Sequence, residues 1–467
     1  MGRSLTPGLL SIYLLRIFSD ILVHRCIKPN HMSILITIAG ILLLVLLISI
    51  RLHAFLAFLL ATLVIGLALQ MKPATLMNAV QTGIGSTLGS IAAIIALGAM
   101  LGKLVGLSGA AQQIAGQMTK LFGIRHSRWA FMAAGFIVGL PLFYSVGFML
   151  LVPVAITVAS RNNLPAVYVG LPLLASLSVT QGYLPPHPAP LFLVKQLGAD
   201  MGATLLYGII ISIPAILISG GLYGSTVKKY TTAPNPSFVA AAMPAENLPS
   251  VSASIFTVLL PVILIAGSSI LAPLLPDNSF VKNSILFLGD ATVSLLLTIL
   301  VAFFSLGIHR KYKRAQINQH FIDAVKDIAS LLLIFGGAGA LKQVLTDGGV
   351  SQVIASQLQH ANMNPYVSGW MIAAIIRVSV GSSTVAGITT AGFILPVIAA
   401  GHINPNLMVL SIGAGSMMFS HVNDTGFWLF REYFQLSLKD TIKTWSVMDT
   451  LVSVTGLLGV LALSWFV

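Results

Sequence analysis

The sequence predicts an all-α polytopic membrane protein built from two inverted repeats, each with about five transmembrane helices plus a re-entrant hairpin and a broken helix. Three observations carry that expectation. Of 467 residues, 56% are hydrophobic and 8% charged, with a mean hydropathy of +0.94; an ordinary soluble domain is roughly a quarter charged. Several runs approach or exceed the ~20 apolar residues that cross a bilayer. Segments of the first half also recur in the second at an offset of about 239. A membrane β-barrel would need short alternating strands instead of these continuous apolar runs.

Taken in order, residues 1–31 are an atypical N-terminal extension that carries Arg3, Arg16, Arg25 and Lys28. Its "SIYLLRIF" is too short, and too interrupted by Arg16, for a cleavable signal. The first repeat is 32–223, the linker 224–250 is rich in Pro, Ala and Thr, and the second repeat is 251–467. "GAMLGKLVGLSGAAQQIAGQM" from Gly98 lies over "GAGALKQVLTDGGVSQVIASQL" from Gly337, pairing Lys103 with Lys342 and Gly109 with Gly348. Spans at 33–50, 52–69 and 83–105 are answered by 252–275, 284–308 and 328–345. Next come the long apolar stretches 129–160 and 369–400, each of 32 residues. As straight helices they would run ~48 Å through ~30 Å of hydrocarbon. Both carry breakers midway, "GLPLFYSVG" and "SVGSSTVAG", so each is expected to fold back as a hairpin. Polar-interrupted spans, 167–195 and 406–430, and a final span complete each half.

Counting a hairpin as no net crossing leaves five crossings per half, and an odd number inverts the second half. Charge placement agrees. With Met32 outside, inside loops hold Arg51, Lys120, Arg125, Arg128, Arg161, Lys228, Lys229, the Arg310–Arg314 cluster, Arg431, Lys439 and Lys443, while outside loops hold only Lys72, Lys195 and Lys282. That bias accounts for the formal charge of +13 without a nucleic-acid partner. The single cysteine, Cys26, excludes an internal disulfide framework and a cysteine-based metal cluster.

Inverted repeats with broken helices are characteristic of secondary transporters, whose substrate sits near the midplane between repeats. Unwound backbone at that depth must be buried in protein or line a water-filled cavity, and half-helix N-termini offer N–H groups to an anion. Four breaks qualify: 140–147, 180–190, 380–387 and 420–426. Gly381, Ser382, Ser383 and Thr384 could donate hydroxyl and backbone hydrogen bonds to a carboxylate or polyol, or serve as small residues for close packing. Arg377 lies deep in "MIAAIIRVSV", where a charge costs at least ~2.5 kcal/mol unless paired. An anionic substrate and Asp424 are its two outlets. Asp424 and His421 could each carry a proton, with a capping role as the alternative for Asp424. Asn423 suits a cap or a substrate contact. In "TQGYLPPHPAP" the prolines preclude a helix and leave His187 in irregular backbone, as a structural hydrogen-bonding residue or a ligand. Lys103 and Lys342 are expected to snorkel or bind helix ends.

No HExxH, GxSxG, Walker loop or Cys/His metal spacing is present, so neither a cofactor nor a metal is expected, and the chain is not read as an enzyme. "GIGSTLGS", "GAMLGKL", "LFYSVGF", "LPPHPAP", "GSSTVAGITTAG" and above all "SHVNDTGFWLFREYF" resemble the gluconate permease family of the ion transporter superfamily, from about Met32 to Val467. The resemblance implies uptake of gluconate or a related small sugar acid by proton symport across the bacterial inner membrane. It also implies a homodimer in which a scaffold holds a moving transport domain, the elevator arrangement. Carried over by position, the substrate site is Ser145, Arg377, Gly381, Ser382, Ser383, Thr384, Asn423 and His187, with Asp424 and His421 coupling the proton. One departure stands out: where the family usually reads FYEVGF, this chain has Ser145. The alternatives are another hydroxy acid or hydroxy amino acid as substrate, with possible sodium coupling through Ser382, Ser383 and Thr384, and more remotely an intramembrane enzyme using His421 and Asp424. The lipid bilayer, a small anion and protons are therefore the expected partners.

Overall fold

The computed structural model describes residues 29–50, 52–230, 243–277, 279–350, 363–399, 403–422 and 424–467. Among them every regular element is helical, and eight helical segments are long and apolar enough to cross a membrane. Residues 1–28 of the expected N-terminal extension, 231–242 of the linker, part of the second repeat match (351–358) and Asn423 lie outside the described residues. The boundary placed at Met32 falls inside the first helix, which already begins at Pro29.

The first half runs α1 (Pro29–Ser49), α2 (Ala54–Ala68), α3 (Pro73–Ser108), α4 (Ala110–Phe122), α5 (Ser127–Gly139), α6 (Tyr144–Arg161), α7 (Ala166–Tyr183), α8 (Pro188–Leu197) and α9 (Met201–Ile216). The second half runs α10 (Val251–Leu271), α11 (Phe280–Gly289), α12 (Ala291–Ala302), α13 (Arg314–Asp347), α14 (Pro365–Val380), α15 (Ser383–Ala399), α16 (Pro405–Gly415), α17 (Thr425–Phe434) and α18 (Val447–Leu463). Long helix, broken pair, broken pair and final helix follow one another in the same order in both halves. Final helix α9 is extended by a wider-wound π-type turn, Leu217–Leu222, and α18 is preceded by another, Ile442–Ser446.

Local chemistry explains where helices start and stop. Pro73 and Pro188 each open a helix, where the missing N–H costs nothing and the fixed φ is already helical. Pro188 thus starts α8, and the irregular backbone expected across all three prolines shrinks to the few residues between α7 and α8. The span expected at 284–308 is likewise two helices, because the Asp290 carboxylate accepts from the N–H groups of Thr292 and Val293 and caps a new start. Both long apolar stretches break where the sequence indicated, after Gly139 and after Val380, and each resulting pair of helices packs together.

Helices α3 and α13 pack along their length. At their closest crossing a Cβ added to Gly83 would run into the carbonyl oxygen of Gly339, and one added to Gly339 into that of Gly83. Lipid gives helices no hydrophobic reason to associate, so contact through small residues is what holds such a pair. The α7–α8 segment is central: 89% of its most apolar stretch is buried, against 39–56% for the other spanning segments. Lipid-facing positions such as Leu42, Ile213 and Phe287 are large, apolar and exposed, as an outer surface in hydrocarbon requires.

Candidate functional site

All four helix breaks meet at one cavity of about 600 Å³. Its far wall is the α3–α13 pair, which contributes Lys103 and Asp327, joined at 2.8 Å. Lys103 therefore pairs across the two halves of the chain, with a partner the sequence did not indicate. Of the residues singled out in the sequence, Ser145, His187, Arg377, Gly381, Ser382, Ser383, Thr384 and Asp424 all line this cavity. His421 does not: its Nε2 turns to the carbonyl of Val378 at 2.9 Å. Asn423 is outside the described residues.

The charged end is built from the last turn of α14 and the residues before α17. Arg377 is 3% exposed, with one guanidinium nitrogen 2.5 Å from Asp424 and another donating to the carbonyl of Gly381. That carbonyl is in reach because Gly381 ends α14 with φ +83°, a left-handed conformation that glycine adopts without a Cβ clash. Asp424 has a second duty. It caps α17 by accepting from the N–H of Gly426 at 2.9 Å, and Ser420 donates to its other oxygen. Asp424 thus fills the capping role named as its alternative and is also the partner of Arg377, one of the two outlets expected for that charge. The π-type turn before α18 supports this end: the Trp445 indole donates to Ser420 Oγ at 2.8 Å, and the Ser446 hydroxyl to the Ser420 carbonyl. Removing one partner from a buried pair of this kind typically costs ~3–5 kcal/mol.

A neutral end faces it. Ser382 caps the start of α15 by accepting from Val385 N–H at 3.3 Å, while Gln181, near the end of α7, donates to Ser383 at 3.0 Å. That last contact ties the break of one half to the break of the other. His187 is 2% exposed, and its Nε2 lies 2.6 Å from the Gly139 carbonyl. A carbonyl only accepts, so Nε2 carries the proton and Nδ1 is left as an acceptor; that atom has no partner in the protein. His187 is therefore a structural residue through one nitrogen and open to a ligand through the other.

Several lining residues escaped the sequence reading: Tyr144, Ser178, Gln181 and Asp449. Asp449 carried a readable signal, as a lone acid within the apolar stretch "TWSVMDTLVSV". The neutral residues carried none, since Ser, Tyr and Gln at depth are also ordinary helix-packing residues.

Comparison with known proteins agrees with this architecture. The profile of the family described as GntP family permease matches residues 32–466. The high-affinity gluconate transporter of Escherichia coli K12 is 43% identical over 432 residues, covering 92% of this chain and 99% of its own length. The Gnt-II system L-idonate transporter of the same organism is 42% identical, over 93% and 99%. Bacillus subtilis gluconate permease is 39% identical, over 93% and 99%. Among solved structures, the Alcanivorax borkumensis YdaH transporter superposes with a TM-score of 0.64 at 15% identity, covering 85% of this chain and 90% of that one, a likeness of fold alone. With the profile spanning nearly the whole chain, relatives near 40% identity and eight spanning segments, this chain belongs to the GntP permease family, transporters rather than enzymes, as a multi-pass protein of the bacterial inner membrane.

Proposed function

We propose that this chain takes up gluconate or a related small sugar acid by proton symport, with the cavity at the four helix breaks as its binding site. The observation that carries the reading is the pairing within one cavity of a buried arginine with neutral hydrogen-bonding groups. Arg377 suits a carboxylate, while Ser145, Gln181, Ser383, Thr384 and the open Nδ1 of His187 suit the hydroxyls of a polyol chain. The transport of gluconate and of L-idonate for which those relatives are named supports the same substrate class. In this reading the two halves are inverted repeats, α3 and α13 belong to a scaffold, and the broken helices move against them with the substrate between. Cavity walls drawn from both groups favour that elevator motion. A homodimer completes the proposal and rests on the superfamily likeness.

Radiolabelled gluconate uptake into proteoliposomes, under an imposed pH gradient with and without sodium, tests this. Accumulation driven by an inward proton gradient and indifferent to sodium is the expected result. Sodium-dependent accumulation at fixed pH would move the coupling to the alternative ion, and competition by L-idonate but not by gluconate would move the substrate.

A further inference from the structure

Asp449 sits in the first turn of α18, is fully buried, and faces the cavity. No hydrogen bond in the structure reaches either of its carboxylate oxygens. Ser178, whose hydroxyl is equally without a partner, is the polar group beside it. This contrasts with Asp424, whose oxygens are taken up by Arg377, Ser420 and the α17 N-terminus. A charged carboxylate buried with only the Ser178 hydroxyl beside it is far more costly than a neutral carboxylic acid in the same place, so Asp449 is the acid on this cavity suited to hold and release a proton, while Asp424 is held by its ion pair and its cap.

The remaining charges show what that proton would do. The groups facing Asp449 are Arg377 from the end of α14, Asp424 from the residues before α17, Tyr144 from the start of α6 and Tyr183 from the end of α7. Tyr183 is turned away, donating to the Val452 carbonyl. Of the other elements packed on α18, α16 carries no titratable side chain, α9 only Tyr207, and the preceding π-type turn only Lys443. Arg377 and Asp424 cancel. With Asp449 ionised the set is net negative and opposes an incoming anion; with Asp449 protonated the opposition is gone. At low dielectric this difference is large, and by linkage the bound anion strengthens proton binding by the same factor.

We propose that the Asp449 carboxyl is the proton-carrying group of the transport cycle, loading one proton for each anionic substrate. The inference rests on the proton-symport reading above. It is tested in proteoliposomes with radiolabelled gluconate by two assays, accumulation under an imposed pH gradient and counterflow at equal pH on both sides. In Asp449→Asn, which mimics the protonated acid, counterflow is expected to persist and to lose its decline with rising pH, while gradient-driven accumulation falls to the equilibrium level. Wild-type accumulation in this variant overturns the inference. Absence of any pH-gradient response in the wild-type protein is a different failure, that of the symport reading itself. If the Asn variant is silent in both assays, Asp449→Glu decides: a displaced pH profile with accumulation retained supports the role. An undisplaced profile, or silence in this variant too, counts against it.

Discussion

The two halves repeat the same order of helices but divide the cavity unequally. From the second half come Arg377, Asp424 and Asp449, the charged groups along the broken-helix side of the cavity, together with the hydroxyls of Ser382, Ser383 and Thr384; from the first come Tyr144, Ser145, Ser178, Gln181 and His187. Repetition of backbone therefore does not repeat chemistry. A pair of similar breaks can be specialised, one to hold charge and the other to count hydroxyls, because a helix break supplies free N–H groups whatever side chains surround it. If the division is functional, changes at the second-half cavity charges abolish transport of every acid, and changes at the first-half cavity residues alter which acid is preferred.

The sharpest way to break the comparison is Arg377→Ala. Uptake is expected to fall at least 100-fold for all anions, and stability by ~3–5 kcal/mol through the orphaned Asp424. The double variant Arg377→Ala/Asp424→Ala, which removes the orphaned carboxylate but also the α17 cap, should recover part of the thermal stability but not uptake. Recovered uptake would show the pair to be structural only. Next is Gly381→Ala, which places a Cβ at φ +83°, a conformation costing roughly 1–2 kcal/mol for a non-glycine residue; a lower melting temperature and slower uptake are expected.

On the first-half side, His187→Leu removes a neutral acceptor, and the loss of one such hydrogen bond is worth ~0.5–1.5 kcal/mol. Its expected effect is a KM for gluconate raised about 2- to 10-fold, with less discrimination against acids lacking one hydroxyl. An equal loss for all acids would contradict the division. The smallest effect is expected at Asp277, between α10 and α11. Lys282, hydrogen-bonded to it at 2.5 Å, holds its carboxyl below the ordinary carboxylate value. A lowered carboxyl stabilises above its unfolded pKa and loses that contribution as pH falls through its folded one, yet Asp277 is fully solvated and the pair is screened. Asp277→Asn should leave uptake and its pH profile unchanged, as a second-half charge remote from the cavity.

The sequence made much of this legible. Hydropathy marked most spans, and glycines and prolines marked the breaks, because at membrane depth only a few residue types end a helix and each leaves a recognisable trace. Arg377 and Asp424 stood out for the cost of charge in hydrocarbon. The same reasoning applied to "SVMDTL" would have found Asp449, which lacks a neighbouring motif to draw the eye. What was not legible was mutual placement. Nothing in one dimension sets Gln181 against Ser383, 202 residues apart, or turns His421 from the cavity to Val378. The split of 284–308 at Asp290 was missed because one aspartate in an apolar run reads equally as a tolerated charge and as a cap.

The enclosure of α7 and α8 also bears on how the chain is made. Insertion machinery sorts segments by their preference for lipid, and residues 166–197 have the lowest mean hydropathy of the eight spanning segments, 1.3. Among the helices that pack around them are α16 and α18, which are made after them. The middle of the first half thus depends for its lodging on helices of the second, and its enclosure waits for their synthesis. A chain stopped in the linker should leave residues 166–197 open to water-soluble thiol reagents at introduced cysteines, where the full-length protein shields them.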